Sequence, residues 1–343
     1  MARLIKRPNE SGISVRTRRK ADAMGAGDNE SFLRDLRLAE KIQHSMIPTT
    51  LRVPGMEILI EYKPMGLLGG DYAWVGQSRG DEVHFHLIDV SGHGIAACLL
   101  ANRLNAEAVN CALKGVGPGD TLACLNTFML DLGLAHGPDG LRGGSMYFTM
   151  FSGVLDLKSG GLTYSSGGHP PALIRGVDGT VRQLERTAPI LGVMGAYTRP
   201  AQEGEDRLDH GETMIIYSDG LYESFDDKGK EWGLEQLVAT LSASKAFPAP
   251  TPGDRRSGSA TGIPTVGRSH VPEIVLPAEL LSPQHQRRLN DSRTAGAEGH
   301  PPSQPDPLSA SRQLMNELRQ AEENHRGDDV QKDDIAIILI HRT

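Results

Sequence analysis

The apolar positions of this chain change period several times between residues 56 and 241. Residues 56–62, 82–90 and 148–155 carry short, dense or alternating apolar runs, which predict strands. Residues 95–113 and 121–134 repeat apolar positions at helical spacing instead. Shorter strands fit 162–165, 172–175 and 213–217, and a helix fits 234–241. Runs of strands broken by one helical pair, without strict alternation, predict an α+β layered domain.

Both ends of this region add to the picture. Residues 31–47, SFLRDLRLAEKIQHSMI, place Phe32, Leu36, Leu38, Ile42 and Met46 at helical spacing, with Ser31 as a candidate cap and Pro48 as a stop. Residues 1–30 read as a flexible basic tail with an RTRRK cluster at 16–20. Residues 245–308 are dense in Pro, Ser, Gly and Arg, have VPEIVLPAELL as their one apolar island, and predict a disordered insertion. A helix at 310–323 and a strand at 335–340 follow. That strand is apolar enough to be buried, so the expectation is a linker helix at 31–48 and one domain over 49–343, interrupted by the insertion.

Composition narrows the function. Lys and Arg number 36 against 43 Asp and Glu, for a net charge of -7, which excludes a strongly basic nucleic-acid binder. Apolar residues make up 38%, below the usual globular share, which agrees with a segment that carries no core. Three cysteines, Cys98, Cys111 and Cys124, are odd in number and lack a CxxC spacing, against a disulfide scaffold or structural zinc. No apolar run is long enough to span a membrane, and the N-terminus lacks the apolar stretch of a signal peptide. A soluble cytoplasmic protein is expected, with no nucleic-acid or membrane partner.

Acidic residues recur at strand ends beside turn-prone neighbours. Asp71 lies in GGDY, Asp89 opens DVSGHG, Asp219 follows MIIYS, and Asp333 and Asp334 precede the last strand. Any one of them reads equally well as a turn former or helix cap. Carboxylates that converge from several strand ends must instead be neutralised or bind a cation, and oxygen ligands select Mg²⁺ or Mn²⁺ over zinc. Two such ions activate water toward a phosphoryl group without a protein nucleophile. The chain agrees: it has no GxSxG elbow, no GxxxxGK[ST] loop and no cysteine in an activated setting.

GGDY, DVSGHG, SGGHPPALI, IIYSDGLYES and DDIAIILI stand in the order and approximate spacing of the SpoIIE/RsbU-like serine phosphatases, a bacterial branch of the PP2C (PPM) metal-dependent phosphatases. The resemblance runs over about 37–245 and again over about 310–342. It implies an αββα sandwich of two antiparallel sheets flanked by helices, with two divalent ions, Mn²⁺ or Mg²⁺, at one end. By the same resemblance Asp71 matches the first metal-binding Asp, Asp89 the Asp that bridges both ions, and the carbonyl of Val90 a further ligand. Asp219 and Asp333 match the remaining carboxylates. Two positions depart from the family: Trp74 stands where a second Asp is common, and Ala336 where Thr or Ser is usual.

The histidines carry less. His93 in SGHG is a candidate general acid, with a positional role beside the glycine turn as its equal. His169 in GGHPP reads as structural. His84 and His86 share one face of a strand without an apparent third ligand, and read as strand surface or packing.

The function implied is a metal-dependent protein serine/threonine phosphatase. By resemblance its substrate is a phosphorylated anti-sigma-factor antagonist with a STAS fold in a partner-switching or stress-signalling pathway. The 31–48 helix resembles the family's switch segment. With some 30 residues ahead of it there is no room for a sensor module, which leaves regulation to a separate protein or to a homodimer through that helix. The alternatives are a pseudophosphatase that binds without turnover and a small-molecule phosphohydrolase.

Overall fold

The computed structural model describes residues 26–77, 80–133, 146–193, 201–247, 273–275 and 307–343. The chain divides into two compact units, Met1–His44 and Ser45–Thr343. Helix α1, Ala26–Met46, begins five residues before the expected start. Ser31 therefore lies inside it and caps nothing; its hydroxyl faces Arg34 one turn on. Phe32, Leu33 and Leu38 on this helix are exposed. Most of the basic tail lies outside the described residues.

The second unit is built on two antiparallel sheets. Its elements in chain order are β1 (Thr50–Val53), β2 (Met56–Lys63), β3 (Asp71–Gln77), β4 (Glu82–Val90), α2 (Ile95–Leu113), α3 (Pro118–Asp131), β5 (Phe148–Asp156), β6 (Gly161–Gly167), β7 (Ala172–Arg175) and β8 (Val181–Leu184). They continue with β9 (Gly204–Arg207), β10 (Thr213–Tyr217), a 3₁₀ turn (Asp219–Leu221), α4 (Gly233–Ala243), β11 (Glu273–Val275), α5 (Pro307–Arg326) and β12 (Ile335–Arg342). One sheet runs β11-β1-β2-β12-β10-β7-β8 and the other β3-β4-β5-β6-β9.

Strand composition explains the layering. In β12 every residue is buried, because Ile338 and Ile340 point between the sheets while Ile337 and Leu339 point outward against α4 and α5. A strand covered on both faces reads as a continuous apolar run rather than an alternating one. Ile58 and Ile60 of β2 and Met214 and Ile216 of β10 join the central layer; Leu59 and Ile215 join the outer one, with Leu237, Leu241, Leu314 and Leu318. Helices α2 and α3 pack on the other sheet through Ala101, Leu104, Leu122 and Leu125. The result is the αββα sandwich expected from the sequence.

The last strand does return to the sheet begun before the insertion: β12 pairs with β2 and with β10. Most of the insertion lies outside the described residues. Its apolar island supplies β11, which adds to the sheet edge by pairing Ile274 with Leu51.

Candidate active site

Four chain segments end together at one end of the sandwich. Strand β3 starts at Asp71 and β4 ends just past Asp89, and the antiparallel register sets these two residues directly opposite each other. Thr149 of β5 stands opposite Asp89 on its other side. Residues directly opposite in an antiparallel pair share a face of the sheet, so Asp71, Asp89 and Thr149 form one row. From the other sheet, β10 ends at Tyr217 and delivers Asp219 on the 3₁₀ turn, while β12 is preceded by Asp333 and Asp334. The structure thus brings together the carboxylates that the sequence singled out.

Their electrostatics are those of a site short of positive charge. Asp71 is 2% exposed, and its Oδ2 is buried with no hydrogen-bond partner among the described residues. Burial first, then the Asp89 charge, pushes its carboxyl well above the usual range; the Ser218 hydroxyl acts the other way. Asp89 is pushed up by burial and by Asp219 and Asp333. Asp219 rises to about 6, from burial and the Asp333 charge. A buried carboxylate without a counter-charge costs free energy unless it takes a proton or a cation.

Backbone comes close to this end as well. The carbonyl oxygen of Val90 lies so close to Gly70 that a Cβ there would stand 2.8 Å from it. Gly70 accepts the Val90 N–H in turn, at 3.3 Å. Oxygen donors of this kind, carboxylate and carbonyl, suit hard divalent cations. Among the described residues no three His, Cys, Asp or Glu side chains already stand in the geometry of a bound ion.

Three further residues matter here: Asp334, read in the sequence only as a neighbour of Asp333, and Ser218 and Thr149, which sequence reasoning passed over. Asp334 accepts the N–H of Met65 on Oδ1 at 2.7 Å and that of Gly70 on Oδ2 at 2.6 Å. It is buried and organises the loop that leads into Asp71, whereas Asp333 is exposed beside it. Ser218 accepts the Ala336 N–H at 2.9 Å, so a hydroxyl stands next to the position where the sequence lacks one. Thr149 hydrogen-bonds His169 Nδ1 at 2.7 Å. The signal for Ser218 was its place inside IIYSDG; nothing marked Thr149.

The departures from the resembled pattern have local accounts. Trp74 lies opposite His86 on the neighbouring strand and stacks on its ring, with centroids 5.2 Å apart. His86 Nε2 donates to Asn105 Oδ1 of α2 at 2.8 Å. Both features sit on the helix-covered face, away from the row of Asp71 and Asp89. His84 and His86 are both buried within β4. His169 is fully buried and held below the usual imidazole range, at about 3, by burial and the nearby Arg186. His93 is exposed on the turn between Asp89 and α2.

Among the described residues no helix is long and apolar enough to cross a membrane. Comparison with models of protein families matches residues 79–254 to Stage II sporulation protein E (SpoIIE). That match contains Asp89 and Asp219 and leaves Asp71 and Asp333 to either side. Among curated proteins, Protein IcfG of Synechocystis sp. is 32% identical over 100 residues, 29% of this chain and 16% of that protein. Phosphoserine phosphatase RsbP of Bacillus subtilis is 26% identical over 192 residues, 55% of this chain and 45% of that protein. The chain therefore spans less than half the length of these curated relatives. The solved SiaA-PP2C domain of Pseudomonas aeruginosa superposes with a TM-score of 0.59 at 16% identity, covering 93% of this chain and 100% of that one. The RsbU and RsbW domains of a Mycobacterium tuberculosis protein give 0.53 at 20% identity, covering 86% of this chain and 62% of that one. At these identities the superpositions speak for the fold.

Proposed function

The chain belongs to the SpoIIE family and has the PP2C-like fold, and from that premise we propose that it is a metal-dependent protein serine/threonine phosphatase. The observation that carries the reading is the facing pair Asp71, buried, and Asp89, half-buried, whose carboxyls are pushed up by burial and by neighbouring carboxylates, Asp219 and Asp333 among them at the same end. Asp71, Asp89, Asp219, Asp333 and the Val90 carbonyl are the groups we assign to holding two divalent ions, Mn²⁺ or Mg²⁺. When bound, such ions lower the barrier to attack of water on phosphorus and neutralise charge on the phosphoryl oxygens.

The chain's own residues do the rest. Asp334 fixes the 65–70 loop, so Asp71 enters its strand already aimed at Asp89. Ser218 holds the start of β12 against the end of β10 and thereby sets Asp219 beside Asp333. His93, exposed at the mouth of this end, is the group we assign to protonating the leaving alkoxide.

By kinship with RsbP, which is named a phosphoserine phosphatase, the substrate we assign is a phosphoserine or phosphothreonine on a partner protein. The finer assignment is a STAS-domain anti-sigma-factor antagonist, with regulation through a second protein or through α1. Purified protein would be offered phosphorylated STAS-domain proteins, phosphoserine peptides and a panel of metabolite phosphates, each with Mn²⁺. Preferential release of phosphate from the STAS proteins is expected. Equal or faster release from metabolites would replace this reading with a small-molecule phosphohydrolase, and binding without release would replace it with a pseudophosphatase.

A further inference from the structure

The end of α5 lies against both turns that carry carboxylates of the proposed site. Glu322 is 1% exposed, and its Oε1 accepts the Ser224 hydroxyl at 2.8 Å and Arg326 Nε at 2.8 Å. Ser224 lies five residues after Asp219, and its own carbonyl accepts the Trp232 N–H at 2.8 Å, closing the 224–232 loop. His325 Nε2 donates to the Lys230 carbonyl of that loop at 2.9 Å. On the other side, Arg326 Nη1 donates to the Asp329 carbonyl at 2.6 Å. Lys332 pairs with Asp329 at 3.0 Å and lies 5.1 Å from the centre of the Phe225 ring. Gln331 then donates to the carbonyls of Lys63 and Asp333 at 2.9 and 2.7 Å, fixing the approach to Asp333.

A fully buried carboxylate is retained at a cost unless its partners are held in good geometry. Here the two partners of one oxygen belong to different segments. One is on the loop after Asp219, and the other is an arginine that grips the segment before Asp333.

We propose that Glu322 is a positioning residue: through Ser224 and Arg326 it clips the Asp219 turn to the Asp333 turn and sets the spacing at which these carboxylates receive a divalent ion. The proposal rests on the metal-dependent reading above. It makes α5 a functional element as well as a cover for the sheet. The same helix offers its own control, since Ser311 near its other end makes an equivalent buried bond, donating to Glu57 Oε2 at 2.9 Å, far along the sheet from the carboxylates.

The test uses the full chain as wild type, Glu322→Gln, Ser224→Ala and Ser311→Ala. Mn²⁺ binding is measured by calorimetry, thermal stability by circular dichroism, and amide exchange at Leu221, Tyr222 and Glu223 in the metal-free state. Glu322→Gln and Ser224→Ala are expected to weaken Mn²⁺ binding about tenfold, as loss of an outer-shell partner does, and to speed exchange of those amides. Ser311→Ala is expected to lower the melting temperature with neither effect. Should Glu322→Gln fail to fold, Ser224→Ala, the smaller change, decides. Wild-type Mn²⁺ affinity and exchange in the site-side variants, or equal loss in Ser311→Ala, would overturn the proposal alone. Absence of Mn²⁺ binding by the wild type would overturn the reading on which it rests.

Discussion

Asp71 and Asp89 stand directly opposite each other on adjacent antiparallel strands, Asp71 buried and Asp89 half-buried, and the Asp89 charge helps to push the Asp71 carboxyl up. Like charges directly opposite in a sheet destabilise it. On the metal-dependent reading, the metal-free fold carries a penalty that a bound cation would relieve. Replacing Asp89 with Asn removes that charge and is expected to raise the stability of the metal-free protein. The same variant is expected to lose the stabilisation that Mn²⁺ gives the wild type. Melting curves in EDTA and in Mn²⁺ check both.

The two neighbouring acids before β12 divide the labour. Asp334 holds two loop amides, so Asp334→Asn removes charge-assisted bonds from a buried group and is expected to cost ~1–3 kcal/mol. Asp333, exposed beside it, is expected to cost little stability and most of the activity when changed to Asn. Denaturant unfolding and phosphatase assays on the two variants separate the roles.

Close backbone approach sets a third expectation. A Cβ on Gly220 would stand 2.0 Å from the Asp334 carbonyl oxygen and 3.2 Å from Asp333 Cβ. Gly220→Ala must therefore push the Asp219 turn away from the Asp333 turn. Activity is expected to fall about a hundredfold, as misplacement by an ångström does, while far-ultraviolet circular dichroism stays native.

Buried imidazoles give a pH dependence with a defined sign. Burial holds His86 down at about 4, against an ordinary value near 6.5. Between these values the unfolded chain binds a proton that the folded one refuses. Its contribution to stability is therefore full above the ordinary value and is lost as pH falls toward the folded one. His86→Gln keeps a donor for Asn105 Oδ1 and removes the titration. Between pH 7 and pH 5 wild type should lose stability relative to this variant in paired unfolding curves; parallel curves would contradict the assignment.

Much of this architecture was legible because the sandwich core is apolar on both faces of its central strands. β4 and β10, with their dense runs, were placed to the residue. β3 was not, since its sequence DYAWVGQ mixes a buried Asp, a Trp and a Gly on a sheet edge. β9, GEDR, has no apolar residue to announce it and is held by pairing with β6 and by Arg182 of β8, which bonds Asp206 and the Arg207 carbonyl. Asp71, Asp89, Asp219 and Asp333 stood out as acids at strand ends beside turn-prone neighbours, and the family resemblance gave them their roles. Asp334 stood out only as a neighbour of Asp333, because its work is long-range, holding amides 264 and 269 residues away. Trp74 looked like a damaged ligand position, yet its register partner His86 gives it a packing role on the opposite face.

The central claim is that the facing carboxylates make this chain a metal-dependent phosphatase. The most direct measurement is phosphate release from a phosphoserine peptide by wild type and Asp89→Asn, each in Mn²⁺, in Mg²⁺ and in EDTA. Turnover by the wild type with metal, absent in EDTA and absent in Asp89→Asn, is the result the account predicts. Turnover that persists in EDTA or in Asp89→Asn, or none by a folded wild type with either ion, would contradict it.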